Sequence, residues 1–473
     1  MEMAGQLNLN GTRVLVIGLA RTGIATSLFC VEHGALVTAS DSRAAAELGD
    51  SIDKLRDAGV QLQLGGHSDA VLAGQQLVIP SPGVPADAPL LLEACGLKIP
   101  VWSEIELAYR FLHGKLIGIT GSNGKTTTTT LVDHILQHAG FPTKLAGNIG
   151  TPLIAQVRQT TDRTITVAEL SSFQLELIET FRPNISVLLN LTPDHLDRHK
   201  TFAAYTAAKA RIFENQTAED FAVLNADDPE SAKYAPSRLH VCWFSRKITV
   251  EQGAFVRKGK IVFAEHGNEE SILDVSEIPL PGAHNLENVL AAVIATRLVG
   301  AHPVQIAQGI RTFAGVEHRI EFVAEINNVR YYNDSKATNV DAARKALEAF
   351  SGRIILILGG KDKDSDYTQL RSTLREKAIL ALLIGAAADK IEHQIEGTVA
   401  IKRAGTIEHA VEFAAQAAHA GDIVLLAPAC ASFDQFQNYE HRGRVFKDLV
   451  HQLQRSTENP SHTEKRNAET FGK

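Results

Sequence analysis

The sequence has 473 residues, with 47 Lys and Arg against 54 Asp and Glu and a formal net charge of −7. That length exceeds what one hydrophobic core supports, so several domains are expected, and an acidic balance with no basic stripe disfavours nucleic acid as a partner. No apolar run approaches the ~20 residues of a membrane span, no secretory leader is expected, and scattered Cys30, Cys95, Cys242 and Cys430 fit free thiols in a reducing cytoplasm, without structural zinc or a disulfide framework.

Arg13-Val14-Leu15-Val16-Ile17 carries an apolar run from Val14 and predicts a strand. Gly18-Leu19-Ala20-Arg21-Thr22-Gly23 follows, then an apolar helix to about His33 and a second strand over 35–39. The second strand runs into Asp41-Ser42-Arg43, which puts an acid where a ribose contact is expected in a Rossmann-like unit. Ala20 stands where that fingerprint has its middle glycine, the residue that lets backbone approach a pyrophosphate. NAD is therefore disfavoured, while a different nucleotide and a plain β–α turn both stay open. Residues 76–80 predict another strand, and Ser81-Pro82-Gly83-Val84 a fixed turn. The first domain is expected to end near residue 108.

Residues 115–119 predict a short buried strand, and Leu131, Val132, Ile135 and Leu136 recur at helical spacing up to Gly140. Between them lies Gly121-Ser122-Asn123-Gly124-Lys125-Thr126-Thr127. A strand, a Gly-rich loop ending in Gly-Lys-Thr and a helix make a polyphosphate cradle. Loop N–H groups and the helix N-terminus offer partial positive charge, Lys125 a full one, and the Thr126 hydroxyl a ligand for Mg²⁺. Ile119 occupies the position of the first glycine in the longer pattern, so the loop reads as a shorter variant. Residues 126–130 are all threonine, which costs helix propensity.

Strands over 164–170 and 184–191 lead into Glu169-Leu170-Ser171-Ser172 and Asp194-His195-Leu196-Asp197. Ligands of open α/β sheets bind beyond the carboxyl ends of strands, so Glu169 and His195 are expected on the rim that carries Lys125. Asp194 and Asp197 flank His195 and are placed to orient it. Alone, Glu169 would read as a helix-capping acid and His195 as a hydrogen-bonded loop histidine. A helix is expected over 203–214, where spacing alone makes Lys209 solvent-facing. Residues 240–280 suggest small antiparallel strands, and Pro281-Gly282-Ala283-His284-Asn285 opens an Ala-rich helix to Val299.

A third α/β unit begins near Gly315. Strands over 329–333, 353–358, 381–384 and 422–427 end respectively in Asp334-Ser335-Lys336-Ala337-Thr338-Asn339, in Gly359-Gly360-Lys361-Asp362-Lys363, in a small turn, and in Pro428-Ala429-Cys430-Ala431-Ser432-Phe433. Beyond about residue 455 the chain is polar and aperiodic, and a disordered tail is expected.

Taken together, these motifs resemble the Mur ligase family over residues 7–452. The resemblance also uses Gly147-Asn148-Ile149-Gly150, Phe173-Gln174-Leu175-Glu176 and Glu317-His318-Arg319. Its two C-terminal motifs, around Lys336 and Ser432, have the form of the branch that adds D-glutamate. The fold it implies is α/β in three domains. These are a Rossmann-like N-terminal UDP-sugar domain (1–108), a central P-loop ATPase-type mononucleotide-binding domain (109–315) and a Rossmann-like C-terminal amino-acid domain (316–453), followed by a polar tail (454–473). The activity it implies is ATP-dependent amide synthesis, adding D-glutamate to UDP-N-acetylmuramoyl-L-alanine through an acyl phosphate for peptidoglycan.

The resemblance also implies roles. Gly121, Ser122, Asn123, Gly124, Lys125, Thr126 and Thr127 would hold the ATP phosphates, with Asn285, Arg319 and Asp334 on the adenosine part and His284 nearby. Thr126, Glu169, His195 and an N-carboxylated Lys209 would serve two Mg²⁺ sites. Arg21, Thr22, Ser42, Arg43, Gly83 and Asn148 would take the UDP-sugar. Thr338, Lys363, Ser432 and Tyr439 would receive D-glutamate, with Lys336 beside the reacting phosphate; Tyr439 stands where relatives commonly have Phe. A monomer in the bacterial cytoplasm, with small-molecule partners only, is expected. The rival readings are a P-loop kinase or switch that needs no amino acid, an NAD dehydrogenase, a binding protein with a dead ATP site, and a folylpolyglutamate-synthase-like or other amino-acid ligase.

Overall fold

A computed structural model describes residues 7–458 except 50 and 69, and the side chains of Asp197 and Glu458 are also outside the description. The chain divides into two compact units. One comprises residues up to Ile278 together with His284–Phe313, and the other Pro279–Ala283 with the residues from Ala314 onward.

The larger unit holds two sheets. The first is fully parallel, in the order β3-β2-β1-β4, with β1 Arg13–Ile17, β2 Leu36–Asp41, β3 Gln61–Leu64 and β4 Leu77–Pro80. β1 and β4 are short apolar runs buried on both faces, as parallel strands under helices are, while the edge strand β3 is Gln-Leu-Gln-Leu and only partly buried. Leu15, Ile17 and Val78 point to one core, and Val14, Val16 and Ile79 to the other.

The second sheet has nine strands: β5 Lys115–Thr120, β6 Thr143–Gly147, β7 Ile165–Glu169, β8 Ile185–Leu188, β9 Phe221–Asn225, β10 His240–Ser245, β11 Gly253–Arg257, β12 Lys260–Glu265 and β13 Asn268–Asp274. Their order is β13-β12-β11-β10-β9-β8-β5-β7-β6. β5 pairs with β7 on one side and β8 on the other, both in parallel. The strand order therefore reverses at β5, and a crevice is expected at its carboxyl end. The antiparallel reading of residues 240–280 holds for β11 to β13, but β10 lies parallel to both β9 and β11. The alternation of a strand at the end of a parallel sheet does not reveal its direction.

The helix Glu104–Tyr109 bonds through two buried carboxylates to segments that connect the strands of the second sheet. Glu104 accepts the Ile154 N–H at 2.6 Å. Glu106 accepts the N–H groups of Glu179, Thr180 and Phe181 at 2.8–3.0 Å.

The smaller unit holds the third sheet, in the order β14-β15-β19-β16-β17-β18, with β14 Glu321–Ile326, β15 Val329–Asn333, β16 Ile354–Gly359, β17 Ala378–Ile384, β18 Ala400–Gly405 and β19 Ile423–Leu426. All pairs are parallel except β14 with β15. Apolar cores cover both faces, Leu356 and Leu425 on one side and Ile355 and Val424 on the other. The helix Val340–Glu348 shows why the local sequence folds this way. The Asn339 side chain accepts the Ala342 N–H at 2.8 Å at its start, and Val340, Ala343, Ala346 and Leu347 form its buried stripe.

The last helix runs Tyr439–Glu458, past the expected break near 455. Ser456 and Thr457 hydroxyls each donate to the carbonyl four residues back, at 2.9 Å, which carries the helix into the polar stretch. The rest of the expected tail lies outside the described residues. No helix among the described residues is long and apolar enough to cross a membrane.

Candidate active site

The phosphate loop leaves β5 and enters the helix Lys125–His138. Gly124 sits at the helix start with φ +83°, a left-handed conformation that a side chain would strain, and a Cβ there would collide with the Asn288 amide. The loop is clamped from its neighbours. Asn190, just beyond β8, accepts the Asn123 N–H at 2.9 Å and donates to the Asn123 carbonyl at 3.2 Å. The Ser122 hydroxyl donates to the Thr192 carbonyl and accepts from the Thr192 N–H and the Tyr205 hydroxyl, each at 2.9 Å. The Lys125 ammonium donates back to the Gly121 and Ser122 carbonyls, both at 2.9 Å. The threonine run is accommodated by back-bonding: Thr129 and Thr130 donate to the carbonyls of Lys125 and Thr126 at 2.8 and 2.7 Å.

Glu169 closes β7 beside this loop and is 3% exposed. The Thr126 hydroxyl donates to its Oε2 at 2.8 Å, and the Asn148 amide to its Oε1 at 2.9 Å. A hydroxyl and a carboxylate in contact at a phosphate cradle are hard oxygen donors of the kind Mg²⁺ takes. Among the described residues no three His, Cys, Asp or Glu side chains converge, so a cation here would complete its shell from water and phosphate oxygens, which is the habit of Mg²⁺.

Lys209 corrects an expectation. It is 2% exposed, not solvent-facing, because the helix Phe202–Ala210 turns Tyr205, Thr206, Ala208 and Lys209 inward. Its Nζ lies 4.8 Å from the Tyr205 ring centroid. Burial, then the nearby Lys125 charge, push its pKa down to about 6 against the pull of Asp194 and Glu169. His195 is exposed, in a left-handed conformation with φ +51°. Its N–H donates to Asp194 Oδ1 at 2.9 Å, its ring nitrogen stands 3.6 Å from Asp194 Oδ2, and Phe173 packs edge-on to the ring. Whether Asp197 also orients it lies outside the described side chains.

At the first sheet the acid that ends β2 is not open to a ribose. Asp41 is 4% exposed, and its carboxyl accepts the Leu19 N–H at 2.6 Å and both the backbone and the side chain of Arg43. The Arg43 guanidinium holds that carboxyl well below the usual carboxylate range. Asp41 thus folds the turn that carries Arg21 and Thr22 onto the one that carries Ser42 and Arg43. Ser42 and Gly83 are exposed, and Thr22 half-buried. Arg21 donates to the Gly150 carbonyl at 2.7 Å, on the turn bearing Asn148, so these two expected UDP-sugar residues sit on linked loops. The Arg198 guanidinium ties the turn at Gly83 to the His195 segment. It donates to the Pro82 and Val84 carbonyls and to Glu176 while stacked 3.9 Å over Phe173.

Asn285 is buried on the helix Ala283–Val299, accepts from the Asn288 amide at 3.2 Å and so reaches the phosphate loop through Asn288; His284 is exposed. Asn288 was expected only to share a helix face with His284, and Asn190, Thr192 and Tyr205 were not singled out from sequence. Asn190 and Thr192 precede the Asp194-His195 motif directly, and Tyr205 lies one helical turn before Lys209, so adjacency was the available signal.

In the smaller unit the expected residues leave three adjacent strands. Asp334, Lys336 and Thr338 follow β15, Ser432 follows β19 and Lys363 follows β16. Asp334 is 8% exposed and accepts the Ile320 N–H at 3.3 Å. Burial raises its pKa to about 7, against the opposing charges of Arg319 and Lys336. The Lys336 Nζ lies 5.5 Å from the Tyr439 ring. Ser432 is buried and Lys363 exposed. Arg442, wholly buried, donates to the Ser335 hydroxyl and carbonyl and to the Cys430 and Ala431 carbonyls, binding the β15 and β19 loops together.

Three family models match successive parts of the chain: the Mur ligase MurD-like N-terminal domain over 12–103, the Mur ligase middle domain over 119–296 and the Mur ligase glutamate ligase domain over 318–430. A UDP-N-acetylmuramoylalanine--D-glutamate ligase of Acidobacterium capsulatum is 53% identical over 94% of this chain and 97% of its own. One of Koribacter versatilis is 52% identical over 94% and 99%. Among solved structures, a UDP-N-acetylmuramate-alanine ligase from Thermotoga maritima aligns with a TM-score of 0.57 at 18% identity, covering 93% of this chain and 99% of that one. A pseudomurein peptide ligase type C from Methanothermus fervidus aligns with a TM-score of 0.55 at 20% identity, covering 94% and 100%; both likenesses are of fold. On the strength of these full-length matches, the chain belongs to the Mur ligase family.

Proposed function

We propose that this protein joins D-glutamate to UDP-N-acetylmuramoyl-L-alanine at the expense of ATP, releasing ADP and phosphate, in bacterial peptidoglycan precursor synthesis. The carrying observation is the loop around Lys125, with Thr126 bonded to Glu169 at 2.8 Å. The names of two relatives above 50% identity, both D-glutamate ligases acting on UDP-N-acetylmuramoylalanine, support the choice of substrates.

A carboxylate is a poor electrophile because its charge is delocalised and oxide is a bad leaving group. In the proposed reaction a carboxylate oxygen of the L-alanyl group attacks the γ-phosphorus and ADP leaves. The D-glutamate amine then attacks the acyl carbon, loses a proton, and phosphate leaves. Lys125 and the loop N–H groups hold the phosphates and spread their charge, and Lys336 does so at the transferring phosphoryl. Mg²⁺ would supply further charge neutralisation when bound at Thr126 and Glu169 and, at a second site, near His195 and Lys209. A buried, largely neutral Lys209 amine is chemically suited to add CO₂ and become a carbamate, turning a misplaced cation into an anion. Asn285, His284, Arg319 and Asp334 are proposed for the adenosine part. Arg21, Thr22, Ser42, Arg43, Gly83 and Asn148 are proposed for the UDP-sugar, and Thr338, Lys363, Ser432 and Tyr439 for D-glutamate. The domains are assigned as UDP-sugar (1–108), ATP (109–315) and amino acid (316–453). A cytoplasmic monomer is proposed, and its four free cysteines fit a reducing compartment.

The test is phosphate release from ATP with UDP-N-acetylmuramoyl-L-alanine and a panel of amino acids that includes D- and L-glutamate. Turnover is expected with D-glutamate only, and Lys125→Ala should lower it by on the order of 10²-fold or more. ADP formation that needs no amino acid would reject the ligase in favour of a kinase, or, where phosphate is released with it, of a hydrolytic switch.

A further inference from the structure

The loops after β16 and β19 are zipped together in the smaller unit. Gly359 N–H donates to the Pro428 carbonyl at 2.9 Å, and Lys361 and Ala431 exchange N–H···O bonds at 2.9 and 3.1 Å. Beneath this zip lies Tyr367, 0% exposed. Its hydroxyl donates to Asp362 Oδ1 at 2.8 Å and stands 2.9 Å from Cys430 Sγ. A phenol has one proton and a carboxylate only accepts, so the Tyr367 proton belongs to Asp362 and the Cys430 S–H donates to the phenol oxygen. Burial pushes the Cys430 thiol up to about 11, which keeps it a donor at neutral pH. The carboxylate is completed by the Ser365 N–H at 3.2 Å and by Lys390 Nζ at 2.7 Å on Oδ2.

One buried hydroxyl therefore joins the residue immediately before Lys363 to the residue two before Ser432. A phenylalanine would fill the same space without burying a polar atom, so the hydroxyl does something packing does not require. Arg442 performs the corresponding task between the β15 and β19 loops. Both fasteners meet at Cys430, which leaves the segments bearing Thr338, Lys363 and Ser432 with fixed mutual spacing.

We propose that Tyr367, acting through Asp362 and Cys430, is a positioning residue that sets Lys363 against Ser432 for capture of the dicarboxylate amino acid. This rests on the assignment of Lys363 and Ser432 to D-glutamate made above. The chemistry favours such a device, because a cation and a hydroxyl must meet a small carboxylate at fixed separation, and a shift of under 1 Å weakens a charge-assisted hydrogen bond.

The test measures initial rates of the full chain with ATP and sugar nucleotide saturating and D-glutamate varied. Tyr367→Phe is expected to raise KM for D-glutamate about fivefold, the worth of one hydrogen bond, with kcat and KM for ATP near wild type. Val411→Ala, a core variant in the same unit, should lower Tm without raising that KM. If Tyr367→Phe does not fold, Asp362→Asn takes its place with the same expectation. An unchanged KM in the variant, or an equal rise in Val411→Ala, overturns the proposal. Lys363→Ala and Ser432→Ala separate the two ideas. If they raise KM for D-glutamate while Tyr367→Phe does not, the pocket stands and the positioning role falls. If neither raises it, the pocket assignment falls and takes the positioning role with it.

Discussion

Thr126 is a residue whose role can be separated from its packing. Its hydroxyl bonds to Glu169 and its methyl group packs at the start of a helix, so Thr126→Val keeps shape and removes one polar atom. Turnover is expected to fall by on the order of 10²-fold, while Tm moves by no more than a few degrees. Steady-state rates and a thermal melt check both halves, and a rate within threefold of wild type would leave the hydroxyl no part in the reaction. At this scale the sequence was most legible where a motif or a strand end fixes a residue's place, as with Lys125 and Thr126 in the phosphate loop and Glu169 bonded to Thr126. Lys209 shows the opposite case. A lysine near the end of a helix reads as solvated, and only tertiary packing, with the Tyr205 ring beside it, makes that side chain buried and its amine weakly basic. Asp41 likewise read as a ligand-facing acid from spacing, yet Leu19 and Arg43 occupy its oxygens.

Among elements, the strands with continuous apolar runs were read to within about two residues: β1, β5, β7, β15 and β16 all end where polar motifs begin. Strands with mixed composition, such as β3, β6 and β18, were missed, because edge strands carry polar residues and so lose the apolar signal. Helix Glu104–Tyr109 was read only as a boundary, although its carboxylates are among the most buried in the molecule. Glu104 is 1% exposed, with Oε2 lacking a partner among the described residues, and burial raises its pKa to about 7. The unfolded value is about 4.5, so the folded state favours the protonated form. The stabilisation from that proton is fully present below the unfolded value and is lost as pH rises through about 7. Glu104→Gln keeps an oxygen for the Ile154 N–H and removes the titration. The stability of the variant relative to wild type should therefore rise between pH 5 and pH 8, by on the order of 3 kcal/mol at most. Denaturant melts at the two pH values measure the difference, and a flat difference would mean that Glu104 is ionised throughout.

The whole molecule repeats one arrangement three times: a mainly parallel sheet in which two neighbouring strands deliver polar loops at their carboxyl ends, β1 and β4, then β5 and β7, then β15 and β19. Its stability need not be shared in the same threefold way. Val14, Val16 and Ile79 of the first sheet belong to one continuous core with Ala146, Ala168 and Leu188 of the second, whereas the third sheet has cores of its own on either face. Two cooperative transitions are therefore expected rather than three or one, since a continuous core unfolds as a unit and separate cores need not. Ile135 and Leu425 are both fully buried, the first in the larger unit and the second in the smaller. Truncating either to alanine should remove about 2–5 kcal/mol from the unit that contains it. In scanning calorimetry, Ile135→Ala should move one transition and leave the other in place, and Leu425→Ala should do the reverse. A single transition displaced equally by both variants would show that the cores act as one, and the division into two units would then describe geometry without describing energetics.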